Sequence, residues 1–280
     1  MSKTTKSIRD IVWYIAVFLL IQIIVNYAVN TVSLLVNGMP FGTALTYAST
    51  HPVIDSTNIT IASALSSLLT IALFAWRKWT PVSPTYLRSR PWSTLLWVAV
   101  LGFGTILPSI WLLEQLQIEV PDNVERMLTA LLGYRWGYLA LGLLGPIAEE
   151  TVFRGAILRL LLKLAPHRTH WLPIALSALI FALAHGNRAQ LPYAFLMGLL
   201  LGWMYVRTDS LVPGIVLHWI NNSIVFAMYN LIPNSANAKL SDLFGGNQTA
   251  VWMSLFFSLC ILLPALFQLT LRLKKADDNR

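Results

Sequence analysis

Two adjacent glutamates stand inside an apolar stretch of the sequence that is long enough to span a membrane. They are Glu149 and Glu150, and the other ten of the twelve acidic residues lie in loops, in tails or at the ends of such stretches. A charged carboxylate at the centre of a membrane helix costs about 2.5–3.5 kcal/mol on insertion scales. Two adjacent carboxylates therefore need a partner or a water-filled cavity, and we expect a functional role.

The spacing separates the two carboxylates. Glu150 and Arg154 are four residues apart, which places them on one helical face and predicts an ion pair. Glu149 points about 100° away from Glu150 around the helix and has no local cation. Gly145 and Pro146 come just before the pair, and a proline inside a helix bends its axis. We therefore expect Glu149 to be the reactive group.

Two later apolar stretches carry further polar residues. His185 closes the run SALIFALAHG, and His218 and Asn222 share a helical face in LHWINNS. Each of these signals taken alone favours a hydrogen-bonding group that joins helices. Together with Glu149 they form a set suited to amide hydrolysis: a carboxylate and an imidazole deprotonate water, and facing donors stabilise an oxyanion.

A serine or cysteine nucleophile is disfavoured. The sequence contains no G-x-S-x-G motif, and its single cysteine, Cys260, lies far along the chain in the last apolar stretch. We read Cys260 as a small apolar filler.

The composition places the whole chain in a membrane. Of the 280 residues, 56% are hydrophobic and 11% are charged, which is outside the range of ordinary globular domains. Helix is the only conformation expected, because an open strand edge cannot lie in lipid. We predict one all-α membrane domain over residues 1–280, a polytopic bundle of about eight helices that each approach about 20 residues. The predicted spans are 11–36, 58–76, 92–113, 136–162, 171–187, 191–206, 211–230 and 250–271.

The positive charge follows membrane topology. The net charge is +8, yet the basic residues flank apolar stretches and form no basic domain, so we expect no nucleic-acid partner. Most Lys and Arg residues fall in the N-terminal arm, the 77–90 loop, the distal half of the fourth span and the C-terminal tail. The positive-inside rule then predicts that both termini are cytoplasmic in a multi-pass protein of the cell membrane.

Three motifs occur in order on three separate apolar stretches. E-E-x-x-x-R is residues 149–154, F-x-x-x-H is residues 181–185, and H-x-x-x-N is residues 218–222. In these motifs the chain resembles the CPBP family, the CAAX-protease and bacteriocin-processing (Abi) group of intramembrane endopeptidases. The resemblance covers about residues 133–230, which we take as the catalytic core.

The resemblance implies a role for each motif residue. Glu149 and His185 would activate the water, and His218 with Asn222 would hold the oxyanion. Glu150 and Arg154 would be supporting residues, in agreement with the ion pair expected from their spacing. The resemblance also implies a bundle of about eight helices around an intramembrane cavity, with membrane lipid and a membrane-associated protein or peptide substrate as partners.

Zinc is an open alternative. Members of the family are often labelled metalloproteases, and Glu149, His185 and His218 would make a His₂Glu zinc site with an open position. Asn222 is a poor zinc ligand and a good oxyanion donor, so we favour a mechanism without a metal or other cofactor.

Two other functions compete with proteolysis. A proton-coupled transporter also uses intramembrane Glu and His residues, although no inverted repeat is apparent in the sequence. A non-enzymatic membrane scaffold or bacteriocin-immunity protein would need the motifs only for packing. A prenylated protein, a peptide precursor and a membrane regulator are all compatible substrates.

Overall fold

The computed structural model describes residues 3–51, 55–81, 83–165, 170–232 and 239–276. The predicted cytoplasmic termini, residues 1–2 and 277–280, lie outside the described residues. Regular structure within the described ranges is helical and includes no strand. Seven long helices are α1 (Lys3–Val36), α2 (Ser56–Trp76), α3 (Trp92–Leu116), α5 (Trp171–Ala184), α6 (Leu191–Thr208), α7 (Val212–Leu231) and α8 (Gln248–Arg272).

The fourth long helix, α4, is irregular. It runs over residues 139–164 as a π turn, an α-helical segment, a second π turn and a second α-helical segment. Their bounds are Leu139–Leu144, Gly145–Glu150, Thr151–Leu158 and Arg159–Leu164. At the predicted kink, the Gly145 N–H bonds to the carbonyl of Ala140, five residues earlier. Helix 4 therefore widens before Pro146 instead of breaking.

Within the described residues, four helices are long and apolar enough to cross a membrane, namely α1 (from Thr4), α2, α3 and α8. Only 22–39% of each span is buried inside the protein, so their outward surfaces are apolar and suited to lipid. The chain is an all-α, polytopic membrane helix bundle.

The other four predicted spans, α4 to α7, do not meet the same standard of length and apolarity. Helix α5 has 14 residues, which rise about 21 Å at 1.5 Å each, short of a bilayer core of about 30 Å. The predicted span 171–187 is longer than the helix, because the prediction included His185 and the residues after it, whereas the helix ends at Ala184.

Four short helices lie between the long ones in the described residues. They are Phe41–Thr50, Thr85–Arg88, Asp122–Leu132 and Leu240–Leu243. Of these, Asp122–Leu132 lies between the predicted spans 92–113 and 136–162, where we predicted no helix. Asp122 and Glu125 occupy its first turn, where negative charge is favourable, and Leu131 and Leu132 are buried.

Helix α4 lies at the centre of the bundle and contacts α1, α2, α5, α6 and α7. Small residues let its neighbours approach closely. A Cβ at Gly198 of α6 would lie 2.8 Å from the Cβ of Ala178 in α5, and such small residues are typical of membrane helix interfaces. The central position of α4 brings its two glutamates within reach of α5, α6 and α7.

Candidate active site

Glu149 and Glu150 end the α-helical segment of α4 that lies between the two π turns. π turns are rare in proteins and frequently occur at functional sites. The two carboxylates nevertheless have different environments. The Glu150 side chain is 1% exposed, whereas that of Glu149 is 28% exposed.

Glu150 belongs to a buried ion pair with Arg154. The Arg154 guanidinium donates to Glu150 Oε1 at 2.8 Å, and each side chain is 1% exposed. The same guanidinium donates to the carbonyl of Gly198 at 3.3 Å and lies 4.4 Å from the centre of the Phe181 ring. The structure therefore contains the ion pair that the i,i+4 spacing predicted. The topology prediction counted Arg154 among the basic residues in the distal half of the fourth span. In the structure this side chain is buried in the ion pair.

His218 of α7 lies between the two carboxylates. Its Nδ1 is 3.3 Å from Glu150 Oε1 and its Nε2 is 3.6 Å from Glu149 Oε2. The shorter distance is a hydrogen bond, whereas 3.6 Å exceeds one. A carboxylate can only accept, so Nδ1 carries a proton and donates it to Glu150.

Glu149 has an open acceptor. Its Oε2 is buried and has no hydrogen-bond partner among the described residues. A buried polar atom without a partner is costly unless water or a ligand completes it. Glu150 Oε2 and Arg154 Nε also lack a partner, but their side chains are only 1% exposed. The greater exposure of the Glu149 side chain makes its carboxylate the more accessible of the two to a water molecule.

His185 caps the C-terminus of α5 and joins the same cluster through Phe181. Its Nδ1 lies 2.9 Å from the carbonyl of Phe181, so Nδ1 donates and Nε2 of the neutral ring is an acceptor. The rings of His185 and His218 both meet the Phe181 ring edge to face, at 4.8 Å and 6.0 Å between centroids. Phe181 thus holds the two imidazoles on one side of α5.

Asn222 lies one helical turn beyond His218. Its Nδ2 donates to the carbonyl of Leu141 at 2.9 Å, inside the first π turn of α4. The second amide hydrogen is not used in this bond. The Oδ1 of Asn222 accepts from the amide of Asn221 at 3.3 Å.

Sequence reasoning missed two polar residues beside the site. Asn221, which belongs to none of the three motifs, is 3% exposed and accepts a hydrogen bond from the hydroxyl of Tyr193 in α6. The available signal was the pair of consecutive amides in an apolar helix, since two adjacent buried amides both need partners.

The structure does not assemble the alternative zinc site. Among the described residues, no three His, Cys, Asp or Glu side chains are arranged to hold a metal ion. Of the proposed ligands, Glu149 and His218 are in contact, while His185 donates its Nδ1–H to a backbone carbonyl and keeps Nε2 free. We derive no step through a zinc ion.

Residues 131–224 match the family described as Type II CAAX prenyl endopeptidase Rce1-like. This range contains all seven specified residues of the three motifs. One relative is the "Membrane-embedded CAAX protease MroQ" of Staphylococcus aureus (strain USA300), which is 28% identical over 148 residues. These two matches support the resemblance to the CPBP family over this region of the chain. The alignment covers 52% of this chain and 60% of the length of MroQ, and no solved structure matches the chain.

Proposed function

We propose that this protein is an intramembrane endopeptidase of the CPBP family that hydrolyses a peptide bond with a water molecule activated by Glu149 and His185. The observation that carries the proposal is the carboxylate of Glu149, which is partly exposed, has an oxygen without a hydrogen-bond partner and faces His218, beside the buried ion pair of Glu150 and Arg154. Because Glu150 already pairs with Arg154, the carboxylate of Glu149 is available to accept a proton from water.

Water activation is the first step of the proposed mechanism. A water bound at Glu149 Oε2 transfers a proton to that carboxylate, and the nascent hydroxide attacks the carbonyl carbon of the scissile bond. The Nε2 of His185 is an acceptor and orients the same water. The electrons of the carbonyl π bond move to oxygen, which becomes an oxyanion.

The oxyanion needs hydrogen-bond donors. The second amide hydrogen of Asn222 is one donor, and the Nε2–H of His218 is the other. Because Nδ1 of His218 keeps its proton and donates a hydrogen bond to Glu150, Nε2 can also donate only when both ring nitrogens are protonated. Collapse of the intermediate then breaks the C–N bond, and the leaving amine takes the proton held by Glu149.

We further infer a substrate that reaches the site from the membrane. The matched family and MroQ are described as acting on CAAX proteins, and the four candidate spans present apolar surfaces to lipid. A prenylated or otherwise membrane-associated protein or peptide precursor fits these features. With the positive-inside rule, the protein lies in the cell membrane with its basic ends in the cytoplasm.

The replacement Glu149→Gln tests the proposal. It removes the base but preserves the shape of the side chain, so we expect hydrolysis to fall by about 10²–10⁴ while the protein stays folded. The substrate is found by comparing membrane peptides released by cells with and without the intact protein, and the cleavage is then measured with purified protein in detergent.

Glu114→Gln is the matched control, because Glu114 ends α3 and accepts the backbone N–H of Leu240, which a glutamine oxygen can also do. We expect it to keep full activity. A Glu149→Gln protein that cleaves the verified substrate at the wild-type rate would exclude the role of Glu149 and favour a scaffold or immunity function.

A further inference from the structure

A chain of hydrogen bonds leads away from the site across α6, α7 and α4. The hydroxyl of Tyr193 donates to Oδ1 of Asn221, the amide of Asn221 donates to Oδ1 of Asn222 at 3.3 Å, and the amide of Asn222 donates to the carbonyl of Leu141 at 2.9 Å. Tyr193 and Asn222 lie on different helices and share no hydrogen bond. Among the described residues, Asn221 joins them.

The direction of this chain follows from its end. A backbone carbonyl can only accept, so the NH₂ group of Asn222 must face Leu141. Its Oδ1 then faces Asn221, which must present its own NH₂ group. The Oδ1 of Asn221 therefore faces Tyr193, whose hydroxyl must donate. Each amide orientation is thereby determined by the hydrogen-bond network.

The orientation of Asn222 matters because its two ends have opposite character. With the NH₂ group held at Leu141, the remaining hydrogen of that group is available to an oxyanion. A flipped amide would present an acceptor oxygen and repel the negative charge. Tyr193 and Asn221 oppose that flip, since a flipped Asn222 would set its NH₂ group against that of Asn221.

We propose that Tyr193 and Asn221 are positioning residues that hold the Asn222 amide in the orientation required for oxyanion binding. The inference rests on the proposed function, in which Asn222 is the donor. Neither positioning residue touches the reacting atoms. If these hydrogen bonds have only a structural role, their loss should change the stability of the protein and leave the rate of the folded enzyme unchanged.

The test is a double-mutant cycle on the full-length protein in detergent with a verified substrate. We expect Asn222→Ala to lower kcat by about 10²–10³ and Tyr193→Phe to lower kcat by about tenfold, the effect of one hydrogen bond. KM should change little in either variant. The double variant should equal Asn222→Ala alone, because Tyr193 acts through Asn222.

Tyr205→Phe is the matched control. Tyr205 is a buried tyrosine of the same helix, its hydroxyl is outside this chain of hydrogen bonds, and the variant should keep the wild-type kcat. Asn221→Ala tests the same link by a second route and should also lower kcat without a further loss in the Asn222→Ala background.

The outcomes separate this inference from the proposed function. A double variant in which the two losses multiply, or a wild-type kcat in Tyr193→Phe and Asn221→Ala beside a slow Asn222→Ala, would overturn the positioning role alone. A wild-type kcat in Asn222→Ala would instead overturn the oxyanion role of Asn222.

Discussion

The outer region of the bundle, which we define as α1, α2, α3 and α8, differs from its polar core, α4 to α7, in both regularity and charge. The outer helices have 21 to 34 residues of continuous α-helix. Helix α4 instead contains two π turns and α5 has 14 residues. Among the described residues, the buried charged side chains Glu150 and Arg154 lie in the polar core.

The polar groups that the outer region does bury are neutral. Ser66 of α2, for example, donates to the side chain of Gln22 in α1 at 3.1 Å. A neutral group needs one hydrogen bond to be tolerated in an apolar setting, whereas a charge needs a counter-charge and further hydrogen bonds. The comparison shows why the ionisable residues are grouped. The central helix α4 is surrounded by other helices that can supply polar partners, whereas the lipid-facing helices lack such partners on their outer surfaces.

The largest effect on stability is expected at the ion pair of the polar core. Glu150→Gln leaves Arg154 buried without a counter-charge, so we expect the free energy of unfolding to fall by about 3–5 kcal/mol. Denaturation in detergent, followed by helical signal, measures it. Glu114→Gln at the end of α3 is the control in the outer region and should change stability by less than about 0.5 kcal/mol. Equal stability of both variants would remove the distinction between the two regions.

The next effect concerns His218, for which the donor and zinc hypotheses differ. If His218 is an oxyanion donor, His218→Ala should lose about 2.7–4 kcal/mol of transition-state stabilisation. His218→Gln keeps an N–H donor and should recover part of the rate. Bound metal and the effect of a strong chelator are measured on the same samples, and we expect a chelator to leave the wild type active.

Stoichiometric zinc that is lost in His218→Ala, together with chelator inhibition reversed by zinc, would reject the metal-free mechanism. The protease assignment would remain, because a zinc-bound water is an equally good nucleophile.

A moderate effect is expected where two outer helices meet. A Cβ at Gly104 of α3 would lie 2.9 Å from the backbone nitrogen of Leu262 in α8, and backbone atoms cannot turn aside. Gly104→Ala should therefore destabilise the protein by about 1–3 kcal/mol through overpacking. The rate per folded molecule should not change, which thermal unfolding and the cleavage assay together would show.

Gly42→Ala is the control, because a Cβ at Gly42 meets no atom within 4 Å. If Gly104→Ala lowered kcat of the folded protein, the outer region would be coupled to the chemistry and the contrast with the polar core would weaken.

The smallest effect on the protein comes from labels that test orientation. Thr57 and Ser83 are exposed at opposite ends of the segment that contains α2, and their replacement by cysteine should change stability by less than about 0.5 kcal/mol. In a Cys260→Ala background, Thr57→Cys should react with an impermeant thiol reagent added outside cells, and Ser83→Cys should not. The reverse pattern would invert the predicted topology.

Much of the polar core was predictable because its signals are local. The i,i+4 spacing of Glu150 and Arg154 predicted an ion pair that the structure contains. The apolar stretches predicted all eight long helices of the described residues within several residues at most ends. The motif roles of Glu149, His185, His218 and Asn222 remain predictions, to be decided by the experiments above.

Other features were not predictable from local patterns. The Asp122–Leu132 helix was missed because it is short and amphipathic, with its charged residues in the first half, and so does not have the continuous apolar run of a membrane span. The π turns of α4 were also missed, since a change from i→i−4 to i→i−5 bonding leaves no composition signal. Tyr193 was passed over as one aromatic residue among many in an apolar helix.

The sequence by itself determined the membrane class, the helical fold and the identity of the charged residues that need partners, because each depends on residue type and on spacing along one helix. Tertiary structure alone decided which partners they have. His218 lies 68 residues after Glu150 and contacts both Glu149 and Glu150. Glu150 accepts the hydrogen bond from Nδ1, while Oε2 of Glu149 has no hydrogen-bond partner among the described residues. Such a choice depends on how α7 is placed against α4, and helix packing in a membrane is set by small residues and close contacts that spacing does not reveal.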